Sequence, residues 1–400
     1  MKSKIKTNYI PELSALMFGR MKPSMVTVNL TNRCNQKCIY CELGQGNLPQ
    51  GKEALSFEDI IWVLDEMKKN KIRKISLCGG EPFLFKGIID IVSYAGKKNI
   101  RCSITTNGMT AHMLNENELN ILKECKTEIN ISIDSFQEDI QVFTRGTSAA
   151  LSNALKSIQK LSEKRIPLTL LTVISKYNYQ DLFKFFISAY ENGIRQVLFQ
   201  PIIYYSNYPE RPAIDEKSQL NVGVKELDIL MDQLRKILRF EKRHKITTNV
   251  YRIFPWIKYY LRTAADQNGN WFFNDVLAKF YCREIYAIID INYDGGIQPC
   301  GLSPALISIF ENRHLGLMEL WKNATEKIKN DLRNDRYYNY CNGCCHHFSR
   351  NMLASLLKYP VKNRNALINM MPLLLSRIQS RILKRLFLYK NYKSDILLRK

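Results

Sequence analysis

The sequence predicts an α/β fold: a partial (β/α)6 TIM-like barrel, a small C-terminal cysteine-rich module and a basic helical tail. Three observations predict it. Between residues 25 and 202, short Val/Ile-rich runs alternate six times with helical patterns, as in a parallel sheet covered by helices. Six units instead of eight leave such a barrel open. Cysteines then cluster after residue 281, and eleven Lys and Arg face the single acid Asp395 over residues 351–400.

The candidate strands are MVTVNLTN (25–32), KISLCGG (74–80), RCSITTNG (101–108), EINISID (128–134), LTLLTVIS (168–175) and QVLFQPI (196–202). Between them, residues 57–70, 87–99, 116–126, 150–165 and 179–193 carry apolar positions at helical spacing. In folds of this kind the chemistry sits at the C-terminal ends of the strands. The strand ends here are polar and glycine-rich, which fits that rule.

The chain divides on this reading into an N-terminal segment (1–24), the barrel core (25–202), a connecting region (203–280), the cysteine-rich module (281–349) and the tail (350–400). The connecting region holds a long helical pattern, VKELDILMDQLRKILRFEKRH, and an aromatic stretch, VYRIFPWIKYYL. In the tail, Met371, Leu375, Ile378, Ile382 and Tyr389 share one helical sector beside Arg377, Arg381 and Lys384. Such a helix lies on an anionic membrane or docks on the protein's own core.

A chain of 400 residues that is 46% hydrophobic has enough apolar material for a sizeable core. Its formal net charge of +22 implies attraction to something anionic. Nucleic acid is the less favoured partner, because no RNA-binding module accompanies the charge. Eleven cysteines are too sparse for a disulfide scaffold. No secretory h-region and no apolar run of membrane-spanning length is present. The expectation is a cytoplasmic protein, associated at most with a membrane surface, whose clustered cysteines are metal ligands.

Residues 34–41, CNQKCIYC, pack Cys34, Cys38 and Cys41 into eight positions. A closed zinc site or a fully ligated iron–sulfur cluster needs a fourth ligand. None is nearby, since the histidines are His112, His244, His314, His346 and His347. Either a distant residue completes a zinc knuckle, or one iron of a cluster stays open to an external ligand.

The spacing C-x3-C-x2-C, with Tyr40 before its last cysteine, resembles the signature of the radical S-adenosylmethionine (SAM) enzymes. Gly79-Gly80-Glu81-Pro82 at the second strand end resembles that superfamily's GGEP motif. Ser132-Ile133-Asp134 and Thr144-Arg145-Gly146 stand where similar elements stand in the family. The resemblance covers roughly residues 25–202. It implies a [4Fe–4S] cluster on the three cysteines, with the amino and carboxylate groups of SAM on the open iron. It further implies that Gly79, Gly80 and Glu81 meet the amino group and Arg145 the carboxylate. Ser132 and Asp134 would meet ribose hydroxyls, and Tyr40 the adenine. The reaction implied is reductive cleavage of SAM to a 5′-deoxyadenosyl radical that abstracts hydrogen from a substrate.

Cys282 precedes Gly295 by twelve intervening residues, and Cys300 follows after four more. The segment reads as a hairpin with strand YAIIDIN and turn YDGG. Cys341 and Cys344 follow at C-x2-C spacing, completing four thiols for one site. The set resembles the auxiliary-cluster modules called SPASM and twitch, and it implies one auxiliary [4Fe–4S] cluster that accepts an electron. Structural zinc remains the alternative there, as does Cys345 in place of Cys344.

The substrate expected is a peptide or protein side chain; the alternative is a small polar metabolite such as an amino or nucleotide sugar. An electron donor such as flavodoxin or ferredoxin is implied. A metal-stabilised nucleic-acid-binding protein is the reading from another class.

Overall fold

The computed structural model describes residues 22–41, 43, 55–202, 220–254, 257–266, 281–334, 336–338, 341, 344 and 359–362. The tail helix, Cys345, His346 and His347 lie outside the described residues. Six strands run in chain order: β1 (Met25–Asn29), β2 (Lys74–Cys78), β3 (Arg101–Thr106), β4 (Glu128–Ser132), β5 (Leu168–Ile174) and β6 (Gln196–Pro201). The helices among them are α1 (Phe57–Lys69), α2 (Ile88–Lys97), α3 (Glu116–Glu124), α4 (Glu138–Arg145), α5 (Ala150–Glu163) and α6 (Leu182–Glu191). All six expected strands are present, shortened by one to three residues at their C-terminal ends.

Local chemistry sets the boundaries. Ser56 and Asp59 form a reciprocal capping box on α1, and Asn115 and Glu118 do the same on α3. The helix α4 has no counterpart among the expected patterns, for a reason given below.

Downstream lie α7 (Leu227–Arg243), β7 (Thr247–Thr248), α8 (Val250–Ile253), α9 (Ile257–Asp266) and α10 (Glu284–Ala287). They are followed by β8 (Ile288–Ile291), β9 (Gly296–Gln298), β10 (Ile307–Ser308), α11 (Ile309–Asn312) and α12 (Leu317–Arg333). The expected hairpin strand begins later than its pattern suggests, because Tyr286 and Ala287 belong to the helical turn α10.

All ten strands form one sheet in the order β10-β9-β8-β1-β2-β3-β4-β5-β6-β7. Strands β1 to β7 pair in parallel, and β8 adds to β1 in parallel, Thr27 facing Asp290. The outer strands β9 and β10 pair antiparallel. Strands β7 and β10 end the order without pairing to each other, so the barrel is open. The hairpin expected in a separate module thus continues the barrel sheet.

Alternation sorts the two faces. Val26, Val28, Ile75, Leu77, Ile104, Ile129 and Ile131 are fully or almost fully buried and pack with Val63, Leu64, Ile91, Leu119 and Leu161 from the covering helices. Each such burial contributes roughly 1.5–3 kcal/mol. On the opposite, concave face stand Thr27, Asn29, Ser76, Cys78, Ser103, Thr105, Asn130 and Ser132, all half-buried. That face is polar where an ordinary barrel interior is packed with Val, Ile and Leu.

Candidate functional site at the strand ends

The loop after β1 carries Cys34, Cys38 and Cys41. The end of β2 and the last turn of α4 hold it in place through backbone. Gly80 N–H donates to the Thr31 carbonyl at 2.7 Å and Glu81 N–H to the Arg33 carbonyl at 2.8 Å. From the other side, Lys37 N–H donates to the Arg145 carbonyl and Ile39 N–H to that of Thr144, both at 3.1 Å. A Cβ at Gly80 would stand 2.0 Å from the Arg33 oxygen, and one at Gly79 would stand 2.6 Å from the Thr31 oxygen. Only glycine lets the β2 end approach this loop so closely. Gly146 closes the far side with φ +63°, its Cβ position 2.3 Å from the Lys37 oxygen.

Glu81 is fully buried and spends both oxygens inside the protein. Oε1 accepts from Thr106 Oγ1 at 2.7 Å and Phe83 N at 3.1 Å; Oε2 accepts from Asn107 N at 2.8 Å. Burial raises its pKa and these three bonds oppose the rise. Asn107 carries the tie onward: Nδ2 donates to Asn35 Oδ1 at 2.7 Å and to Cys34 Sγ at 3.7 Å.

Tyr40, Asp134 and Arg145 form one buried network. The Tyr40 hydroxyl donates to Asp134 Oδ2, and Arg145 Nη2 donates to Asp134 Oδ1 at 2.9 Å. The guanidinium lies 5.6 Å from the Tyr40 ring centroid and reaches Cys38 Sγ at 4.0 Å through Nη1. Asp134 Oδ1 also accepts from Val173 N at 3.0 Å. Burial is the largest influence on Arg145 and disfavours its charge, but Asp134, Tyr40 and Cys38 together outweigh it and hold the guanidinium protonated. Arg145 Nε is buried without a hydrogen-bond partner. Ser132 ends β4 on the concave face, half-buried.

The three thiols lie close enough that charge on a neighbour opposes ionisation of Cys34 and Cys38. Burial pushes Cys38 up to about 11 and raises Cys34, and Cys41 adds to both shifts. Desolvated thiols in one loop resist ionising together, which favours a bound cation as their counter-charge. Among the described residues no three His, Cys, Asp or Glu side chains converge on one ion-sized position. A cubane takes each thiolate on a different iron and asks for no such convergence.

The second set behaves alike. Burial raises Cys282, pushes Cys300 up to about 12 and Cys341 up to about 11, with Cys300 and Cys341 each adding to the shift of Cys282. Cys344 is buried, and its N–H donates to the Cys341 carbonyl at 3.3 Å. Cys102 and Cys78 lie in strands β3 and β2.

Residues 28–186 match the family model of the Radical SAM superfamily. This chain carries a radical SAM domain. The superfamily binds a [4Fe–4S] cluster and SAM. A Fe-coproporphyrin III synthase of Methanosarcina barkeri is 27% identical over 223 residues, 56% of this chain and 54% of its own length. A GTP 3′,8-cyclase of Listeria welshimeri is 34% identical over 195 residues, 46% of this chain and 56% of its own length. The matched region spans about half the length of these relatives. The solved structure of anSMEcpe with bound AdoMet and the Cp18Cys peptide aligns at TM-score 0.59 and 15% identity, over 90% of this chain and 99% of that one. That likeness shows the fold of a partial barrel.

Sequence reasoning missed Asn107, Gln141 and Asn178. Gln141 Oε1 accepts from the N–H groups of Asp134 and Ser135, and Asn178 Nδ2 donates to the Asp134 and Val173 carbonyls. Asn107 and Asn178 reach partners up to 73 and 44 positions away, and Gln141 lies on α4, whose buried face is polar, so no apolar pattern marked them.

Proposed function

We propose that the chain is a radical SAM enzyme in which Cys34, Cys38 and Cys41 hold a [4Fe–4S] cluster and SAM takes its open iron. Once reduced, this pair supplies a one-electron cleavage of SAM that yields a hydrogen-abstracting 5′-deoxyadenosyl radical. The observation that carries the reading is the loop of three thiols, braced by β2 and α4, beside a buried guanidinium whose Nε lacks a partner. Arg145 offers that N–H to a carboxylate, the geometry guanidinium suits. Asp134 acts by holding Arg145 charged and Tyr40 oriented, in place of the direct ribose contact that resemblance implies. Ser132 is left to meet a ribose hydroxyl. Gly79 and Gly80 serve by close approach to the cysteine loop, and Glu81 by fixing Asn107, in place of direct contact with the SAM amino group.

Cys282, Cys300, Cys341 and Cys344 are proposed to hold an auxiliary [4Fe–4S] cluster of the SPASM/twitch kind, with structural zinc as the alternative. The excess of positive charge suits an acidic electron donor such as flavodoxin or ferredoxin. A peptide or protein side chain is the proposed substrate, supported by the fold shared with peptide-bound anSMEcpe. A small polar metabolite is the second reading, favoured by the cyclase likeness and the polar concave face.

The test is release of 5′-deoxyadenosine by the anaerobically reconstituted, dithionite-reduced chain. Wild type should release it, and Arg145→Lys should raise the KM for SAM about tenfold, the loss expected for one charge-assisted hydrogen bond. No release by wild type would overturn the reading. Stimulation by a peptide library supports the first substrate; stimulation by GTP alone would replace it with the second.

A further inference from the structure

We infer that Asn107 is a positioning residue for the cluster held by Cys34: its side-chain amide donates to the Cys34 sulfur and raises the cluster's reduction potential. The inference rests on the proposed role of Cys34 as an iron ligand.

The amide has no freedom to point elsewhere. Its Oδ1 accepts from Met109 N at 2.9 Å, which fixes the oxygen on the side away from the cysteine loop. Its two Nδ2 protons then go to Asn35 Oδ1 at 2.7 Å and Cys34 Sγ at 3.7 Å. A flipped amide would set oxygen against both acceptors and leave the Met109 N–H facing an NH2 group. The backbone beneath is equally fixed, because Asn107 N donates to Glu81 Oε2 and that carboxylate is anchored by Thr106 and Phe83. Asn107 is buried, so its amide is shielded from water, although Cys34 itself is only half-buried.

Reduction of a cluster adds negative charge that spreads onto its sulfur ligands. A hydrogen bond to a ligand sulfur stabilises that charge, and in a dry site it does so strongly. The β2 strand end therefore reaches the cluster through a chain of contacts: Glu81 fixes Asn107, and Asn107 polarises Cys34.

The test is a redox titration followed by electron paramagnetic resonance on the reconstituted full chain. The relevant signal is the one missing from a Cys34/Cys38/Cys41→Ala triple variant; if no signal is missing there, the ligand assignment fails and not this inference. Asn107→Leu keeps the side chain's shape and removes the donor. Asn35→Ala removes the amide's other partner and leaves the N–H···S contact. The midpoint should move to a more negative potential in Asn107→Leu and stay at the wild-type value in Asn35→Ala. An unmoved midpoint in Asn107→Leu, an equal shift in Asn35→Ala, or complete loss of the signal from Asn107→Leu would each overturn it.

Discussion

Three donors converge on the Glu81 carboxylate from two stretches of chain, Phe83 from one and the adjacent Thr106 and Asn107 from the other. Truncation to Ala would leave the buried N–H groups of Phe83 and Asn107 and the Thr106 hydroxyl without an acceptor. Each orphan of this kind costs roughly 1–3 kcal/mol, so Glu81→Ala should lower the denaturant midpoint of unfolding clearly. An unchanged midpoint in urea would mean that the carboxylate is dispensable to the strand end. At this scale the cysteines were legible because their spacing within one loop needs no tertiary information. The bonds among Asp134, Arg145 and Tyr40 were not: the sequence set each against a separate part of SAM and gave no sign of their ties to one another. Such ties, with the one from Arg145 to Cys38, join residues up to 107 positions apart, and no periodicity records them.

Helix α4 shows why an element can be invisible to apolar periodicity. Its buried residues are Gln141, Thr144 and Arg145, while Phe143 is 51% exposed. The pattern is inverted because this helix packs its polar face on the site, feeding side chains and end carbonyls to the cysteine loop. The strands, by contrast, bury Val, Ile and Leu against helices, and their alternation announced them. Strand β8 was expected in a hairpin of its own, yet it pairs with β1 and places Ile289 and Ile291 in the common core. Hydrogen exchange tests that placement. The amides of Ile288–Ile291 should be protected to the same degree as those of β2 and β3, since they open only with the sheet. Rapid exchange of β8 alone would show a separately opening unit.

Across the whole molecule, one sheet carries both sets of thiols. The Cys34 loop follows β1; Cys282 and Cys300 flank the β8–β9 hairpin; β1 and β8 are neighbours. Helix α12 fastens this edge, burying Leu317, Leu320 and Trp321, with the Leu317 N–H bound to Glu66 of α1 at 2.9 Å. The paired strands fix the separation of the two thiol sets, as the proposed auxiliary cluster would need in order to accept an electron. Cys300→Ala should therefore remove about four irons, those of one cubane, and leave 5′-deoxyadenosine release in the absence of substrate intact. Retention of all iron would exclude Cys300 as a ligand. Among the described residues no helix is long and apolar enough to cross a membrane.

Iron per chain after anaerobic reconstitution, in wild type and in the Cys34/Cys38/Cys41→Ala triple variant, tests the central claim most directly. Two cubane clusters give about eight irons, falling to about four when the loop loses its thiols. An iron content that does not fall in the triple variant would contradict the account, because the cluster proposed at the strand ends would then have no place to bind.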